Sequence, residues 1–304
     1  MSVGASIAPP VVPVQVGAPP KVARQRRLNL ESLPIHIALL LLTVIWVVPT
    51  LGLLVSSFRP GFLMRQSGWW TALAPPFKFT LQNYREVLDS YNLGTAFLNS
   101  LMIAIPSTVI PIAIACFAAY AFSWMKFPGR NVLFLALVGL LAVPLQETLI
   151  PVLQMFKTLG LSGTFIAVWL AHTGYGLPFA IYLLRNFIGA LPSDLFESAE
   201  IDGAGPVTTF FRLVLPLSVP ALASLAIFQF LWTWNDLLVA LVYLGGDVAV
   251  APMTVNIANL VNSQGGHYET LTAAAFFSMA LPLIVFVSLQ RYFIRGITAG
   301  AVKG

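Results

Sequence analysis

The sequence predicts an all-α membrane protein that crosses the bilayer six times, and three observations support this fold class. The 304 residues are 58% hydrophobic and 9% charged, whereas charged residues make up about a quarter of ordinary soluble domains. The mean hydropathy is +0.85. The apolar residues are gathered into six runs of about 20 residues or more, each long enough to cross a hydrocarbon core about 30 Å thick. Such a composition is typical of a polytopic membrane protein.

The first 30 residues are expected to form a disordered cytoplasmic tail, and residues 31–304 a transmembrane domain. Residues 1–20 contain five prolines and no charge, a composition that does not build a core. The first apolar run, residues 34–58, is preceded by four basic residues, Lys21, Arg24, Arg26 and Arg27. This run is too long for the core of a signal peptide and lacks a clear cleavage site, so we expect an uncleaved first span.

Five further spans follow, at residues 98–124, 131–153, 164–185, 217–242 and 271–294. The polar stretch 59–94 and the loop 245–269 are expected on the outer face. Several prolines fall inside the predicted spans, among them Pro106, Pro111, Pro144, Pro178 and Pro282. Proline frees a backbone carbonyl and bends a helix. We therefore expect these spans to curve around a cavity or to pack where neighbouring groups bind the freed carbonyls.

The distribution of basic residues predicts that both termini lie in the cytoplasm. With six spans, 11 of the 16 Lys and Arg residues fall on the cytoplasmic side and 5 on the outer side. Cytoplasmic loops of membrane proteins carry the excess of Lys and Arg. This orientation places the segment between the fourth and fifth spans, residues 192–214, in the cytoplasm. A short C-terminal tail, residues 295–304, is expected on the same side.

Segment 192–214 is predicted to contain two short helices outside the bilayer. Asp194, with Glu197 three residues later, marks a helix start, and Gly203 marks a stop. A helix of roughly nine residues is about 13 Å long, which is too short to cross the membrane. After a sharp turn, Gly205-Pro206 can open the second helix.

The acidic character of this segment favours a protein partner over an anionic membrane surface. It comes from Asp194, Glu197, Glu200 and Asp202. The alternative is an amphipathic connector that lies on the membrane, in which Glu197 serves only the start of its own helix.

The same segment carries a motif, Glu-x-Ala-x-x-x-Gly followed by Leu-Pro, at Glu197, Ala199, Gly203, Leu215 and Pro216. It resembles the cytoplasmic coupling motif of importer-type ABC transporter permeases, with Ser198 where the family usually has alanine. Two further stretches resemble the carbohydrate branch, the maltose-type permeases: Trp234-Asn235-Asp236, and the C-terminal run with Gln290-Arg291-Tyr292-Phe293 and Thr298-Ala299-Gly300. The Gly68-Trp69-Trp70 loop resembles the α-glucoside permeases. The resemblance covers about residues 30–304.

This resemblance implies a permease subunit of an ATP-driven importer in the bacterial inner membrane. Such a subunit moves a sugar, for example an oligosaccharide or α-glucoside, into the cytoplasm by alternating access. The implied partners are a homologous second permease, two ATPase subunits that bind ATP and Mg, an external solute-binding protein, the sugar and the lipid bilayer. The residues implied to couple to the ATPase are Glu197, Ser198, Ala199, Asp202, Gly203, Ala204, Leu215 and Pro216.

No motif in the sequence points to catalysis, to a metal or to a bound cofactor. A Gly-x-x-x-x-Gly-Lys-Ser/Thr phosphate loop is absent, so we expect no ATP hydrolysis by this chain. The three histidines are far apart in the sequence, and Cys116 is the single cysteine, which excludes a cysteine zinc site. The basic residues are scattered over short loops, which argues against a nucleic-acid partner.

Polar groups inside the predicted spans are costly to place in a bilayer and therefore need a reason. One interpretation is an aqueous sugar path lined by Gln146, Glu147, Trp234, Asn235 and Asp236, because polar groups and aromatic faces suit a sugar. The other is interhelical hydrogen bonding for Glu147 and Asp236 and packing for Trp234. A stand-alone secondary transporter or channel for a small polar solute is the alternative function, and would need a relay of ionisable groups; only Glu147, His172 and Asp236 are prominent.

Overall fold

The computed structural model describes residues 33–263 and 267–301, and within these ranges the chain is helical throughout, with short connections. The described residues divide into two units, one that ends at Val48 and one that begins at Pro49. The first seven helices are α1 (Leu33–Ser57), α2 (Gly61–Gln66), α3 (Gln82–Ser90), α4 (Leu93–Trp124), α5 (Arg130–Gly139), α6 (Leu145–Thr158) and α7 (Phe165–Ile188). They are followed by α8 (Ser193–Ile201), α9 (Pro206–Thr209), α10 (Leu215–Leu217), α11 (Val219–Trp234), α12 (Leu238–Leu244), α13 (Met253–Ser263) and α14 (Tyr268–Ala301). The expected tail, residues 1–30, lies outside the described residues.

Among the described residues, four helices are long and apolar enough to cross a membrane unbroken. They are α1, α4, α7 and the part of α14 over Tyr268–Gln290. Two bent helix pairs pass the same test together: Arg130–Ala142 with Leu145–Thr158, bent by 102°, and Pro206–Leu217 with Val219–Trp234, bent by 72°. If each pair is one span, the total is the six that the sequence predicts. The all-α membrane fold is confirmed.

The third predicted span, residues 131–153, is bent, as expected of a span that contains Pro144, and the bend is sharp enough to break the helix. It is broken between α5 and α6, where Val143 and Pro144 adopt extended backbone angles. Proline disfavours the helical conformation of the residue before it and has no N–H for the helical ladder. A short 3₁₀ turn, Leu140–Ala142, precedes the break. Within the described helices lie Pro106, Pro111, Pro178 and Pro282.

The fifth predicted span, residues 217–242, is also interrupted. Helix α11 ends at Trp234, and α12 begins only at Leu238. The carboxylate of Asp236 accepts the N–H groups of Val239 at 3.4 Å and Ala240 at 3.1 Å in the first turn of α12. A short acidic side chain at the start of a helix satisfies donors that have no helical partner. The sequence Asn235-Asp236 therefore ends one helix and starts the next.

The ends of the remaining spans differ only locally from the prediction. Helix α4 starts at Leu93, five residues before the predicted boundary, because Leu93 is fully buried and extends the packed face. The backbone of α14 stays helical to Ala301. The predicted boundary between the sixth span and a C-terminal tail at residue 295 is therefore not a helix end.

Helices α4, α7 and α11 pack closely along their small residues. Ala115 and Ala119 of α4, Ala180 of α7 and Ala221 of α11 are each at most 3% exposed and belong to one apolar cluster. Small side chains let helix backbones approach one another inside a membrane, where van der Waals packing drives association. These three helices form the frame that carries the candidate sites below.

The stretch between α1 and α3 is organised by a buried arginine. Arg59 is 3% exposed, and its guanidinium donates to the carbonyls of Leu63 and Ser67 and to the hydroxyls of Ser67 and Thr71, at 2.8–3.3 Å. A cation near the last carbonyls of α2 complements the negative end of that helix. The Asn83 side chain in turn donates to the carbonyls of Ser57 and Arg59. The polar stretch is thus an ordered structure.

We expect Arg59→Ala to destabilise this stretch by about 3 kcal/mol, because buried carbonyls lose a charged donor and stay unpaired. The matched control is Arg85→Ala, since Arg85 lies in α3 of the same stretch and is exposed; a substitution at such a surface position changes stability by about 0.5 kcal/mol or less. Limited proteolysis and thermal unfolding of the purified variants measure both changes. Equal stability of the two variants would contradict the role of Arg59.

Candidate functional site

Helix α8 confirms the predicted nine-residue helix between the fourth and fifth spans. It begins one residue earlier than predicted, at Ser193, after Pro192, and no side chain caps it. The predicted start at Asp194 with Glu197 is therefore wrong, because Pro192 leads the chain into the helix first. Asp194 instead lies in the first turn, where a negative charge complements the positive end of the helix.

An aromatic stack anchors α8 to the end of α4. The rings of Phe196 and Trp124 lie parallel within 19°, with centroids 3.7 Å apart. The Trp124 indole N–H also donates to the Ile188 carbonyl at the end of α7, at 3.0 Å. One side of α8 is therefore tied to two membrane-spanning helices at once.

The other side of α8 is exposed and mixes acidic with apolar side chains. Asp194, Glu197, Glu200 and Asp202 are all exposed, and Ile201 is 86% exposed. Beside them, a groove of about 500 Å³ runs between α8 and the end of α4. Its lining includes Lys126, Glu197, Glu200 and Ala204. This exposed side of α8 and the groove beside it offer a partner both apolar and charged contacts.

Gly203 makes the turn that the motif predicts. Its φ of +75° lies in the left-handed region, which favours glycine. Its N–H donates to the Glu200 carbonyl at 3.0 Å, and the Ala204 N–H donates to the Ala199 carbonyl at 2.9 Å. These two bonds close the end of α8 and fix the direction in which the chain leaves it.

Ser198, at the position where alanine is usual, makes no new contact outside its helix. Its hydroxyl donates to the Asp194 carbonyl one turn earlier, at 2.7 Å. A serine hydroxyl in a helix commonly bonds back to the preceding turn. Serine in place of alanine therefore adds a hydroxyl to α8, but this hydroxyl is already bonded within the helix.

After the turn at Gly203, a continuous run of helical turns leads from Pro206 into the fifth span. Helix α9 passes into a π-helical turn, Phe210–Val214, and then into α10, which contains Leu215 and Pro216. Phe210 stacks on Phe117 of α4, with ring centroids 4.6 Å apart. The chain then bends by 72° into α11. A movement of α8 would reach α11 through this packed elbow.

The residues predicted to line a path fall into two groups. Gln146 and Glu147 are exposed in the first turn of α6. Trp234 is buried, and its indole N–H donates to the Ser278 carbonyl of α14 at 3.1 Å. Asn235 donates to the Leu231 carbonyl at 2.7 Å, and Asp236 caps α12 as described above. Among the described residues, no hydrogen bond or ion pair joins the two groups.

The structure adds a pocket between α7 and α11 that the sequence did not single out. Its volume is about 280 Å³, and it is lined by Tyr175, Gly176, Phe179, Leu225, Phe228, Gln229 and Trp232. The Gln229 amide donates to the Ser107 carbonyl of α4 at 3.1 Å. A Cβ on Gly176 would lie 2.8 Å from the Gln229 amide, so a larger residue would have to displace this amide from its bond to Ser107. Glycine inside an apolar helix was the sequence signal that could have pointed to this close approach.

The comparisons with known proteins agree with the motif. Residues 22–299 match the family described as binding-protein-dependent transport system inner membrane component. The chain is 61% identical to the osmoprotective compounds uptake permease protein GgtD of Synechocystis sp., over 90% of this chain and 93% of that protein. It is 55% identical to the alpha-glucoside transport system permease protein AglG of Rhizobium meliloti, over 83% of this chain and 67% of that protein.

A solved structure shares the fold. A chain of a bacterial ABC transporter involved in the import of the acidic polysaccharide alginate superposes with a TM-score of 0.72. The identity is 20%, and the match covers 87% of this chain and 98% of the other. A second structure, of the bacterial alginate ABC transporter in complex with an alginate pentasaccharide-bound periplasmic protein, has a TM-score of 0.60 at 17% identity, over 84% and 92% of the two chains. At such identities the likeness shows the fold alone.

Proposed function

Because this chain belongs to the family of binding-protein-dependent transport system inner membrane components, we propose that it is the permease subunit of an ATP-driven importer that brings a neutral sugar into the cytoplasm. The observation that carries the proposal is α8 with its glycine turn. This short helix is too short to cross a bilayer, presents an acidic exposed side, and is tied to α4 by the Phe196–Trp124 stack.

The proposed partners supply what this chain lacks. Two ATPase subunits bind ATP and Mg and dock on α8, a homologous second permease completes the path, and an external solute-binding protein delivers the sugar. The sequence has no phosphate loop for ATP, which supports a separate ATPase. The chain lies in the bacterial inner membrane with both termini in the cytoplasm, as the excess of basic residues on that side supports.

The substrate class rests on the relatives and on the chemistry of the pocket. One relative is named for alpha-glucoside transport and another for trehalose transport. The side chains that line the 280 Å³ pocket include four aromatic rings and one amide, and none is ionised. Aromatic faces suit the apolar faces of a sugar ring, and an amide can bond its hydroxyls. This lining supports a neutral α-glucoside, such as sucrose or maltose, as the sugar.

Transport proceeds by alternating access in this proposal. Closure of the ATPase subunits pushes on α8, and the elbow through Leu215-Pro216 transmits the movement to α11, which carries Gln229 and Trp232 of the pocket. Such a step needs contacts that differ between the two states. A stand-alone transporter is disfavoured, because it would explain neither the membership of this family nor the exposed acidic side of α8.

A crosslinking experiment tests the docking of α8. Ser198→Cys is introduced in a Cys116→Ala background, and Thr158→Cys, at the exposed end of α6, is the matched control. We expect the cysteine at position 198 to capture a co-expressed ATPase subunit, with a yield that changes on addition of ATP, and the control to capture none. If Ser198→Cys captured no ATPase subunit in vesicles that import sucrose, the docking role of α8 would be overturned.

A further inference from the structure

His172 is a fully buried histidine in α7 whose ring nitrogens are unpaired. Its exposure is 0%, and among the described residues neither nitrogen has a hydrogen-bond partner. The Nε2 atom lies 3.7 Å from Oδ2 of Asp236. The edge of the imidazole meets the Trp232 ring at 88°, with centroids 5.1 Å apart. His172 thus lies between a residue that lines the pocket and a residue that starts α12.

The Nε2 atom of His172 and the Oδ2 atom of Asp236 are slightly too far apart to form a hydrogen bond. A neutral imidazole has one donor and one acceptor nitrogen, and leaving both unpaired in a buried place is unfavourable. A hydrogen bond from nitrogen to oxygen has a length of about 2.9 Å. A movement of about 0.8 Å would close the contact. The contact is open in this structure, and a movement of this size would give a second, closed arrangement.

Asp236 connects this contact to the helices beyond it. Its carboxylate accepts the N–H groups of Val239 and Ala240 in α12. Its carbonyl accepts the Thr254 hydroxyl of α13 at 2.6 Å. Closing the bond to His172 would draw on Oδ2, the same oxygen that accepts the Ala240 N–H at 3.1 Å. The closed arrangement therefore changes how α12 is held at its start.

We propose that His172 is a positioning residue that reports occupancy of the pocket to α12 and α13. A sugar in the pocket moves the Trp232 ring against His172, and His172 then bonds to Asp236 and shifts the start of α12. The segment that follows, predicted on the outer face, thereby responds to the pocket. This inference rests on the proposed function, because it takes the pocket between α7 and α11 as the sugar site.

The physical basis is a contiguous set of contacts with two discrete arrangements. Energetic coupling between sites requires an element of that kind, whose balance both sites change. If His172 only filled space, removal of its nitrogens would leave the response of α12 to the sugar unchanged. This difference separates a positioning role from a packing role.

The test uses the complete transporter in lipid nanodiscs. A reporter cysteine is introduced by Val248→Cys in a Cys116→Ala background and labelled with bimane, because Val248 is 57% exposed in the connection between α12 and α13. Sucrose is titrated in the absence of ATP, and the binding of radiolabelled sucrose is measured in parallel. ATP-dependent sucrose uptake is measured separately in proteoliposomes.

We expect saturating sucrose to shift the bimane emission of the reporter. His172→Leu removes both nitrogens and keeps an apolar side chain, and we expect it to reduce the shift at saturation by at least about fivefold, with little change in the apparent Kd of sucrose. His172→Gln retains a donor and an acceptor and should restore most of the shift. His172→Leu and Asp236→Asn should be non-additive in a double-mutant cycle.

Phe179→Leu is the matched control in the same pocket. Phe179 lines the pocket on α7 and is 43% exposed, and its side chain has no hydrogen-bonding group that could reach α12 or the His172–Asp236 pair. We expect this variant to weaken sucrose binding and to retain the full shift at saturation.

A full shift in His172→Leu, or additive effects of His172→Leu and Asp236→Asn, would overturn the inference. The absence of a shift in a reporter complex that imports sucrose would overturn it too, and would leave the proposed function standing. A complex that imports neither sucrose nor maltose with ATP would overturn both.

Discussion

Gly203→Pro is expected to abolish transport and to leave the protein inserted in the membrane. Gly203 has a φ of +75°, whereas the proline ring holds φ near −65°. Proline would also remove the N–H that donates to the Glu200 carbonyl at 3.0 Å. The end of α8 would open, and α8 would leave the chain in another direction relative to α9. The membrane-spanning helices would be untouched.

ATP-dependent sucrose uptake in vesicles, with immunoblotting of the membrane fraction, measures this effect. The matched control is Gly205→Ala, because Gly205 has a φ of −73° and no atom within 4 Å of an added Cβ; we expect normal uptake. Gly203→Ala also meets no atom within 4 Å, but the left-handed conformation costs it roughly 1–2 kcal/mol, so we expect a partial loss. Normal uptake by Gly203→Pro would refute the coupling role of this turn.

Gly176→Leu is expected to block the path and to weaken the packing of α7 on α11. A Cβ at this position would lie 2.8 Å from the Gln229 amide, which is held by its bond to Ser107. The amide would have to move and would lose its buried partner, while the leucine would occupy the 280 Å³ pocket. Overpacking of a well-packed site costs about 1–3 kcal/mol. We expect uptake of sucrose to be lost.

Gly174→Leu is the control for this change, on the same helix and two residues away. Gly174 is exposed and has no atom within 4 Å of an added Cβ. We expect this variant to retain uptake and to be as stable as the parent, or slightly more stable, because leucine favours a helix more than glycine does. Thermal unfolding and uptake are measured for both. Equal loss of uptake in the two variants would argue against the pocket as the site of the sugar.

The segment around α8 was predictable in length and in its turn, because both depend on local chemistry. Gly203 is needed wherever the chain adopts a positive φ, and a polar run of nine residues between apolar runs has few alternatives to a short surface helix. The start was misplaced by one residue because the sequence offers Asp194 and Pro192 within one turn. The Phe196–Trp124 stack was not predictable, since 72 positions separate the two rings along the chain.

For the residues predicted to line the sugar path, the sequence was a poorer guide than it was for α8. The sequence singled out Trp234, Asn235 and Asp236 by polarity, and the structure shows that they form a helix end and a helix start. The residues that line the pocket, such as Trp232 and Gln229, have ordinary apolar neighbours in the sequence. Their position became visible only when α7 and α11 were packed together.

The sequence by itself determined that the chain is an all-α membrane protein, where its polar segment lies along the chain, and where glycine must turn the backbone. These properties follow from the transfer of apolar side chains out of water and from the backbone angles of single residues, which are local. Only the tertiary structure decided where the third and fifth spans break, which side chains meet in the pocket, and that His172 faces Asp236. Those outcomes depend on how α4, α7 and α11 are rotated and cross, and helix rotation is set by side-chain packing between distant parts of the chain.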